Sequence, residues 1–156
     1  MENLGTIQSP ADITTGFIPF EGKKALVVDD NEMNREIATE ILEDYGVIVE
    51  QAEDGDIAVE MVKNSEDNRY DLVLMDVQMP RMNGYEATKK IRKLENRSVA
   101  MVPIIAMTAN AFEEDRKNAI KACMDGHLSK PISIPKLVET LSRFYSLRNH
   151  HSDSGT

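Results

Sequence analysis

The sequence predicts an α/β domain built on a doubly wound parallel sheet of five strands with five helices. Short apolar runs of strand length alternate along the chain with segments whose apolar residues recur at helical spacing. Several of these runs have no polar alternation, which is typical of strands buried on both faces of a parallel sheet. We therefore expect the order 2-1-3-4-5, with strands one and three adjacent at the switch point where such sheets bind ligands.

The five predicted strands differ in how strongly the sequence marks them. The first and third are unbroken apolar runs that end on carboxylates, and the third is followed by the loop signals Met79-Pro80 and Asn83-Gly84. The fifth is short and lies before a Lys-Pro pair. The predicted strands are residues 25–28, 47–51, 72–75, 102–107 and 126–129.

Each of the first three helices has a recognisable start. Asn31 and Asp54-Gly55 stand where two apolar-periodic segments begin, and Asn83 can cap the third. Gly46 follows the first of these segments, where a glycine in the left-handed conformation commonly ends a helix. These three helices should therefore connect strands one to four.

The last two helices are less uniform. The fourth is predicted over about residues 113–121, with Met124 as its furthest end, and its thin apolar content suggests loose docking. The fifth should start at Ser133 or Ile134, with Pro135 suited to its first turn.

Composition limits the classes of function. At 156 residues the chain is long enough for one domain with its own core. Its 18 basic and 27 acidic residues give a net charge of −9, which argues against nonspecific nucleic-acid binding. The single Cys123 excludes an internal disulfide, fits a reducing compartment and is expected to be a small helix residue. We find no signal peptide and no apolar run of membrane-spanning length.

Polar residues stand where four of the strands end. Asp29-Asp30, Asp76, Thr108 and Lys130 follow strands one, three, four and five. Each is common in turns and caps when taken alone, but at four matching strand ends they make a chemical set. Carboxylates suit Mg²⁺, a lysine provides a point charge for phosphate, and a threonine hydroxyl can donate to a phosphoryl oxygen. A carboxylate can also act as a nucleophile that forms an aspartyl-phosphate.

With these motifs the chain resembles the receiver domain of two-component response regulators, which have a flavodoxin-like fold. The resemblance covers about residues 23–145. It rests on LVVDDN at 26–31, VLMDVQMP at 73–80, NG at 83–84, IIAMTA at 104–109 and KP at 130–131. The implied organisation is a linker or tail at 1–21, a receiver domain at 22–146 and a flexible C-terminal tail at 147–156. Ile13, Phe17, Ile18 and Phe20 could pack locally on the domain or on another surface.

The resemblance implies a phosphoacceptor and a metal site. Asp76 would accept the phosphoryl group. Asp30, Asp76 and the backbone carbonyl of Gln78 would ligate Mg²⁺, for which Mn²⁺ could substitute, and Asp29 would hold the metal through water. The side chains of Gln78 and Asn110 would flank the site and tune the lifetime of the phosphate.

The resemblance also implies a switch. Lys130 would pair with the phosphoryl group, and its bond to Pro131 would be cis. Thr108 would be the hydroxyl that moves toward the phosphate. Relatives often have Tyr or Phe three residues before the lysine, where this chain has His127, so the aromatic part of the switch would be modified.

The implied function is phosphoryl transfer from a phosphohistidine to Asp76, followed by a change in partner binding. The donor would be a histidine kinase or a histidine phosphotransfer domain, with no direct contact to nucleic acid or membrane. The segments at 30–35 and 107–111 resemble receivers of hybrid sensor histidine kinases. The domain would promote its own phosphorylation and dephosphorylation without being a turnover enzyme. It would be cytoplasmic, in a parent protein that could be a membrane-anchored histidine kinase.

Two alternatives stay open at this point. One is a Mg²⁺-dependent phosphohydrolase with an aspartyl nucleophile, although such enzymes commonly carry Asp-x-Asp-x-Thr after strand one and a cap region for the substrate. This chain has Asp29-Asp30-Asn31 there and no insertion long enough for a cap. The other is a degenerate receiver that acts only as a binding module, which the presence of all five key side chains disfavours.

Overall fold

A five-stranded parallel sheet forms the centre of the molecule, as predicted. The computed structural model describes residues 20–65, 70–79, 81–109, 113–130 and 132–143. The strands are β1 (Lys24–Val28), β2 (Ile48–Ala52), β3 (Leu72–Asp76), β4 (Ile104–Thr108) and β5 (Gly126–Ser129). All neighbouring pairs are parallel and the order is β2-β1-β3-β4-β5, which confirms the predicted 2-1-3-4-5 arrangement.

Six helices occur within the described residues, one more than predicted. They are α1 (Glu32–Asp44), α2 (Gly55–Lys63), α3 (Gly84–Arg92), α4 (Arg97–Ala100), α5 (Glu113–Lys121) and α6, which runs over residues 134–143 at least. The additional helix α4 is a four-residue turn capped by Asn96, whose side chain accepts a hydrogen bond from the Ser98 N–H at 3.0 Å. It is too short to leave a periodic signal in the sequence.

The alternation of side chains along each strand divides the core in two. In β1, Leu26 and Val28 pack with α2 and α3, whereas Ala25 and Val27 pack with α1 and α6 on the other face. The strands β3 and β4 divide in the same way. All five residues of each of these three strands are buried, as their unbroken apolar runs predicted.

The predicted cap Asn83 is found in place, and Asn31 and Asp54 act in the same way at the other two helix starts. Asn31, Asp54 and Asn83 each accept a hydrogen bond from a backbone N–H in the first turn of their helix. Gly46 has a φ of +91°, the left-handed conformation expected after α1.

The prediction that Cys123 is a helix residue is wrong. The helix α5 ends at Lys121, and Cys123 lies exposed in the turn that follows, with a φ of +70°. The turn reverses the chain into β5, and the Met124 N–H bonds to the Ala119 carbonyl at 2.9 Å. This closure requires a left-handed residue, which a helical spacing argument does not reveal.

Phe20 packs on the domain, whereas Ile13, Phe17 and Ile18 lie outside the described residues. The Phe20 side chain is buried against Tyr45, and its N–H donates to the Tyr45 carbonyl at 3.1 Å. The domain boundaries at residues 22 and 146 stay predictions. Within the described ranges, no helix combines the length and the apolar character needed to cross a bilayer.

Candidate functional site

The register of β1 and β3 brings two carboxylates together. Val28 is paired with Met75, so Asp29 and Asp76 come next at neighbouring strand ends on the same face of the sheet. Asp76 is in turn paired with Met107 of β4, which places Thr108 one residue beyond. The strand pairing alone therefore assembles the predicted set at the carboxyl edge of the sheet.

Three carboxylates form an acidic cluster, which we define as Asp29, Asp30 and Asp76. Asp29 and Asp76 are almost completely buried, at 1% and 2% exposure, whereas Asp30 is exposed. One oxygen of each lies within 4.8 Å of one oxygen of the other two. Three negative charges at this spacing repel one another unless cations compensate them.

Lys130 provides one such cation. Its Nζ lies 3.1 Å from Asp29 Oδ2 and 3.1 Å from Asp76 Oδ1, so it bridges the two buried carboxylates. The backbone positions it, because the Lys130 N–H donates to the Thr108 carbonyl at 2.8 Å and extends the β4–β5 pairing by one residue. The lysine therefore enters the cluster from the end of β5.

The pKa values report this imbalance of charge. Burial, and then the charge of Asp29, raise the pKa of Asp76 to about 6, although the Gln78 N–H and Lys130 act in the opposite direction. Burial on its own lowers the pKa of Lys130, but the charges of Asp76 and Asp29 more than reverse this and raise it. Lys130 thus remains protonated, while Asp76 is the carboxyl that most needs a further cation.

Asp29 is held by its backbone as well as by its side chain. Its N–H donates to the Ala52 carbonyl at 3.2 Å, its carbonyl accepts from Arg35 Nη1 at 2.7 Å, and its Oδ1 accepts from the Asn31 N–H at 2.9 Å. The sequence pattern does not indicate this role of Arg35. Its position in the first turn of α1 was the one available signal, since that turn faces the carboxyl edge of the sheet.

The loop after β3 is fixed close to Asp76. The Gln78 N–H donates to Asp76 Oδ1 at 3.2 Å, which places the predicted ligand Gln78 beside the cluster. The Gly84 N–H closes the loop onto the Val77 carbonyl at 3.1 Å. A Cβ on Gly84 would lie 2.4 Å from the Asp76 carbonyl oxygen, so only glycine allows α3 to start this close to the strand.

A second tether of this loop also escaped the sequence analysis. Arg81 forms an ion pair with Asp54, the N-cap of α2. Burial raises the pKa of Asp54, but the Ile57 N–H and Arg81 together outweigh it and lower the pKa. The backbone of Met82 packs directly on Gly55, where a Cβ would lie 2.8 Å from the Met82 carbonyl oxygen. The loop that carries Gln78 is therefore anchored to α2.

The predicted switch residues are only partly described. Thr108 is buried at the end of β4, and His127 is exposed on β5, paired with Ala106. Asn110 and Pro131 lie outside the described residues, so their predicted roles in phosphate lifetime and in a cis peptide bond stay predictions.

A small crevice of about 80 Å³ opens beside the cluster, between α1 and the segment after β5. Its lining joins Asp29 and Lys130 to Asn34, Ile37, Met107 and Ile132. Ile37 is 47% exposed, and Met33, one turn earlier on α1, is 70% exposed. A larger groove of about 530 Å³ is lined by residues of β1, β2 and α2 and by Tyr70, and it contains no member of the acidic cluster. The chemistry of the side chains, and not the size of a cavity, identifies the site.

The arrangement suits phosphoryl transfer onto a carboxylate. The acidic cluster offers hard oxygen ligands of the kind that Mg²⁺ prefers, and burial together with the nearby charge of Asp29 makes ionised Asp76 costly without a further cation. Lys130 lies where a phosphoryl group on Asp76 would need a counter-charge.

Comparisons with known proteins agree with this geometry. The family profile described as the response regulator receiver domain matches residues 25–142. A probable histidine kinase 2 from Oryza sativa subsp. indica is 41% identical over 134 residues, which cover 79% of this chain and 13% of that protein. Hybrid signal transduction histidine kinase L from Dictyostelium discoideum is 38% identical over 132 residues, covering 84% of this chain and 8% of that protein. The chain thus spans a small part of the curated relatives it matches.

Solved structures show the same similarity. The receiver domain of a Pseudomonas aeruginosa PAO1 sensor histidine kinase, with magnesium coordinated in its active-site cleft, is 39% identical with a TM-score of 0.70 and coverages of 79% and 97%. That of the Arabidopsis thaliana histidine kinase CKI1, complexed with Mg²⁺ and BeF3⁻, is 37% identical with a TM-score of 0.72 and coverages of 81% and 92%. A co-crystal of the Saccharomyces cerevisiae phosphotransfer protein Ypd1 with the receiver domain of Ssk1 matches at 27% identity, with a TM-score of 0.75 and coverages of 83% and 92%.

Proposed function

This chain belongs to the response regulator receiver domain family and is a receiver domain of phosphorelay systems; within it, we propose that Asp76 accepts the phosphoryl group. The observation that carries the proposal is the double contact of Lys130 with Asp29 and Asp76 at 3.1 Å each. It joins the ends of three strands into one site with a buried nucleophile, acidic metal ligands and a phosphate counter-charge.

The residues present fit a magnesium ion. Asp30 and Asp76 would hold it with the backbone carbonyl of Gln78, and Asp29, which is already paired with Lys130, would contribute through water. When bound, Mg²⁺ neutralises the negative charge that gathers on the carboxylates and on the phosphoryl oxygens during transfer. Relatives crystallised with magnesium make the same assignment reasonable for this chain.

The transfer itself needs positioning and charge. A carboxylate oxygen of Asp76 forms a bond to phosphorus while the bond to the donor imidazole nitrogen breaks and its electron pair returns to the ring. Asp76 is held for this step by the Gln78 N–H and by Lys130, both of which contact Oδ1. Lys130 keeps its proton throughout, as its raised pKa requires, and moves its charge from the carboxylates to the new phosphate.

The readout would follow from the residues around the phosphate. The added charge gives Thr108 and Lys130 contacts that exist only in the phosphorylated state, and these bias a two-state equilibrium of the surface. Thr108→Ala should therefore still gain a phosphoryl group, measured by intact mass after incubation with a small-molecule phosphoryl donor, but lose phosphorylation-dependent partner binding. Normal partner binding by that variant would place the switch elsewhere.

The donor would be a phosphohistidine on a histidine kinase or on a phosphotransfer protein. The crevice beside Lys130 and the exposed Met33 and Ile37 of α1 offer an apolar surface next to the acceptor, suited to a histidine-bearing helix. The curated relatives are histidine kinases of which this chain matches a small part, so a hybrid kinase is the proposed parent and the cytoplasm the proposed location.

The test is the intact mass of the protein after incubation with a small-molecule phosphoryl donor, with and without Mg²⁺. The wild type should gain one phosphoryl group that requires Mg²⁺ and is lost on treatment with hydroxylamine, which cleaves acyl phosphates. Asp76→Asn should gain none, and Asp44→Asn, which removes an exposed carboxylate at the end of α1, should behave as the wild type.

Two results would oppose the proposal in different ways. An adduct that persists in Asp76→Asn would move the acceptor to another residue. No adduct in a wild type that binds Mg²⁺ in a separate titration would indicate a receiver fold that acts only as a binding module.

A further inference from the structure

Arg35 contacts the backbone beside the acidic cluster without belonging to it. Its Nη1 donates to the Asp29 carbonyl at 2.7 Å, and its Nε donates to Gln51 Oε1 at 3.0 Å. The amide of Gln51 in turn donates to Thr39 Oγ1 at 3.0 Å, one helical turn after Arg35. A closed chain of side-chain contacts therefore links α1, the edge strand β2 and the end of β1.

The Asp29 carbonyl belongs to the peptide that joins Asp29 to Asp30. Asp29, on the N-terminal side of this peptide, is held twice, since its N–H donates to the Ala52 carbonyl and its carboxylate is ion-paired with Lys130. Asp30, by contrast, is exposed, so its orientation depends on the plane of the peptide that precedes it. The Arg35 contact fixes that plane, and the guanidinium fork is itself fixed at a second point by Gln51.

We propose that Arg35 is a positioning residue for the metal ligand Asp30, an inference that rests on the proposed magnesium site. Arg35 holds the Asp29–Asp30 peptide in the orientation that presents the Asp30 carboxylate to the ion. Ligands that are oriented before the ion arrives bind it more tightly than ligands that must be ordered on binding.

Charge repulsion alone and ligand positioning predict opposite changes in Mg²⁺ affinity when Arg35 is removed. Arg35 is a positive charge close to the place where a cation would bind, so its removal should tighten Mg²⁺ binding through reduced repulsion. If positioning dominates, its removal should instead weaken Mg²⁺ binding by about tenfold, the lower end of the effect of residues that orient metal ligands. The sign of the change separates the two roles.

The experiment is a calorimetric titration of the unphosphorylated full chain with MgCl2. Arg35→Ala should bind Mg²⁺ more weakly than the wild type, and Arg35→Lys, which keeps the charge but not the fork, should lie between them. The matched control is Arg97→Ala, which removes an exposed arginine that donates to the Arg92 carbonyl at 2.8 Å at the other end of the sheet. A second control, Thr39→Val, breaks the far end of the contact chain and should change the affinity less than Arg35→Ala.

Amide NMR spectra of the metal-free proteins give a readout that needs neither metal nor phosphate. The resonances of Asp30 and Asn31 should shift or broaden in Arg35→Ala and stay in place in Arg97→Ala, while urea unfolding shows whether the variant is folded. Unchanged amide resonances together with equal or tighter Mg²⁺ binding in Arg35→Ala would overturn the positioning role. A wild type that binds no Mg²⁺ would overturn the proposed metal site, and the role of Arg35 with it.

Discussion

The two ends of the central sheet use charged residues in opposite ways. At the carboxyl end, Lys130 contacts two of the three carboxylates of the acidic cluster, and burial together with the charge of Asp29 raises the pKa of Asp76. At the amino end, Arg92 and Asp125 form a pair whose contacts balance. The strand ends position the carboxyl-end group, whereas the Arg92–Asp125 pair at the amino end stabilises the fold by joining several elements.

The amino-end pair is well satisfied. Arg92 Nη1 donates to the carbonyls of Ala100 and Val102 at 2.7 Å each, its Nε donates to the Cys123 carbonyl at 3.0 Å, and its Nη2 lies 2.8 Å from Asp125 Oδ2. Asp125 Oδ2 also accepts from the Ile104 N–H, at 2.8 Å. The end of α3, α4, the start of β4 and the turn before β5 are thus joined through one guanidinium.

The contrast shows that an ion pair cannot be assigned to stability or to chemistry by its distance alone. Lys130 and Arg92 both lie about 3 Å from a carboxylate, and both are largely removed from water. They differ in the balance of charge and in the donors available to the carboxylates. Three substitutions and the addition of Mg²⁺ test this distinction.

The largest effect is expected from Arg92→Ala. It leaves the carbonyls of Ala100, Val102 and Cys123 without this donor, and each buried acceptor that loses its partner costs about 1–3 kcal/mol, so the free energy of unfolding should fall by about 3–5 kcal/mol in all. Urea unfolding measures this loss. Mg²⁺ affinity, measured in the folded range, should not change, and a large change would show that the two ends are coupled.

Asp76→Asn should have the opposite sign. The pKa of Asp76 is about 6 in the folded protein against 3.8 for the free side chain, so the folded state binds the extra proton between these values. The stability of the wild type should therefore fall as the pH rises through this window, and the ionised form should cost about 3 kcal/mol at most at pH 7.

The variant cannot ionise at this position. Asp76→Asn should therefore be more stable than the wild type at pH 7, and the difference should vanish below pH 4. Urea unfolding at a series of pH values measures both, and Asp44→Asn serves as the control. A loss of stability at pH 7 would mean that the contact with Lys130 outweighs burial and repulsion by Asp29.

Mg²⁺ should relieve the same imbalance in the wild type. At a concentration one hundred times its Kd, the ion should raise the free energy of unfolding by about 2.7 kcal/mol, provided that it binds only the folded state. Thermal unfolding with and without Mg²⁺ measures the effect, and Mn²⁺ should act similarly. Asp30→Ala should weaken the response, and an unchanged response would remove Asp30 from the ligand set.

The smallest effect concerns the turn at the amino end. Cys123 is the one non-glycine residue with a positive φ in the described part of the chain, at +70°. Cys123→Gly should therefore raise the free energy of unfolding by about 0.5–1 kcal/mol. Cys123→Ala keeps the strained backbone and should show no gain, so equal effects of the two changes would locate the cause in the side chain.

The sequence predicted the carboxyl end better than the amino end. Asp76 and Lys130 stand directly after strands, and strand ends in a parallel sheet converge, so a pattern along the chain was enough to bring them together. The strand order was predicted from apolar runs of strand length that alternate with segments of helical spacing. The family resemblance supplied the individual roles.

The residues that escaped prediction act through contacts distant in sequence. Arg92 reads as part of a basic helix face, yet its guanidinium is turned inward to Asp125, 33 positions later in the chain. Arg35 meets Gln51 on a strand that no local spacing ties to it. The burial of Asp29 beside the exposed Asp30 also depends on the direction of the chain at the end of β1, which composition does not encode.

Gly84 has a consequence for how the domain tolerates sequence variation. Since a methyl group there would collide with the carbonyl of Asp76, the proposed acceptor, every missense change at this codon should push α3 away from β3. In a mutational scan that selects for signalling, position 84 should therefore be as intolerant as position 76. In such a scan Gly84, which has no polar side chain, would then be scored as essential for signalling together with the proposed acceptor Asp76.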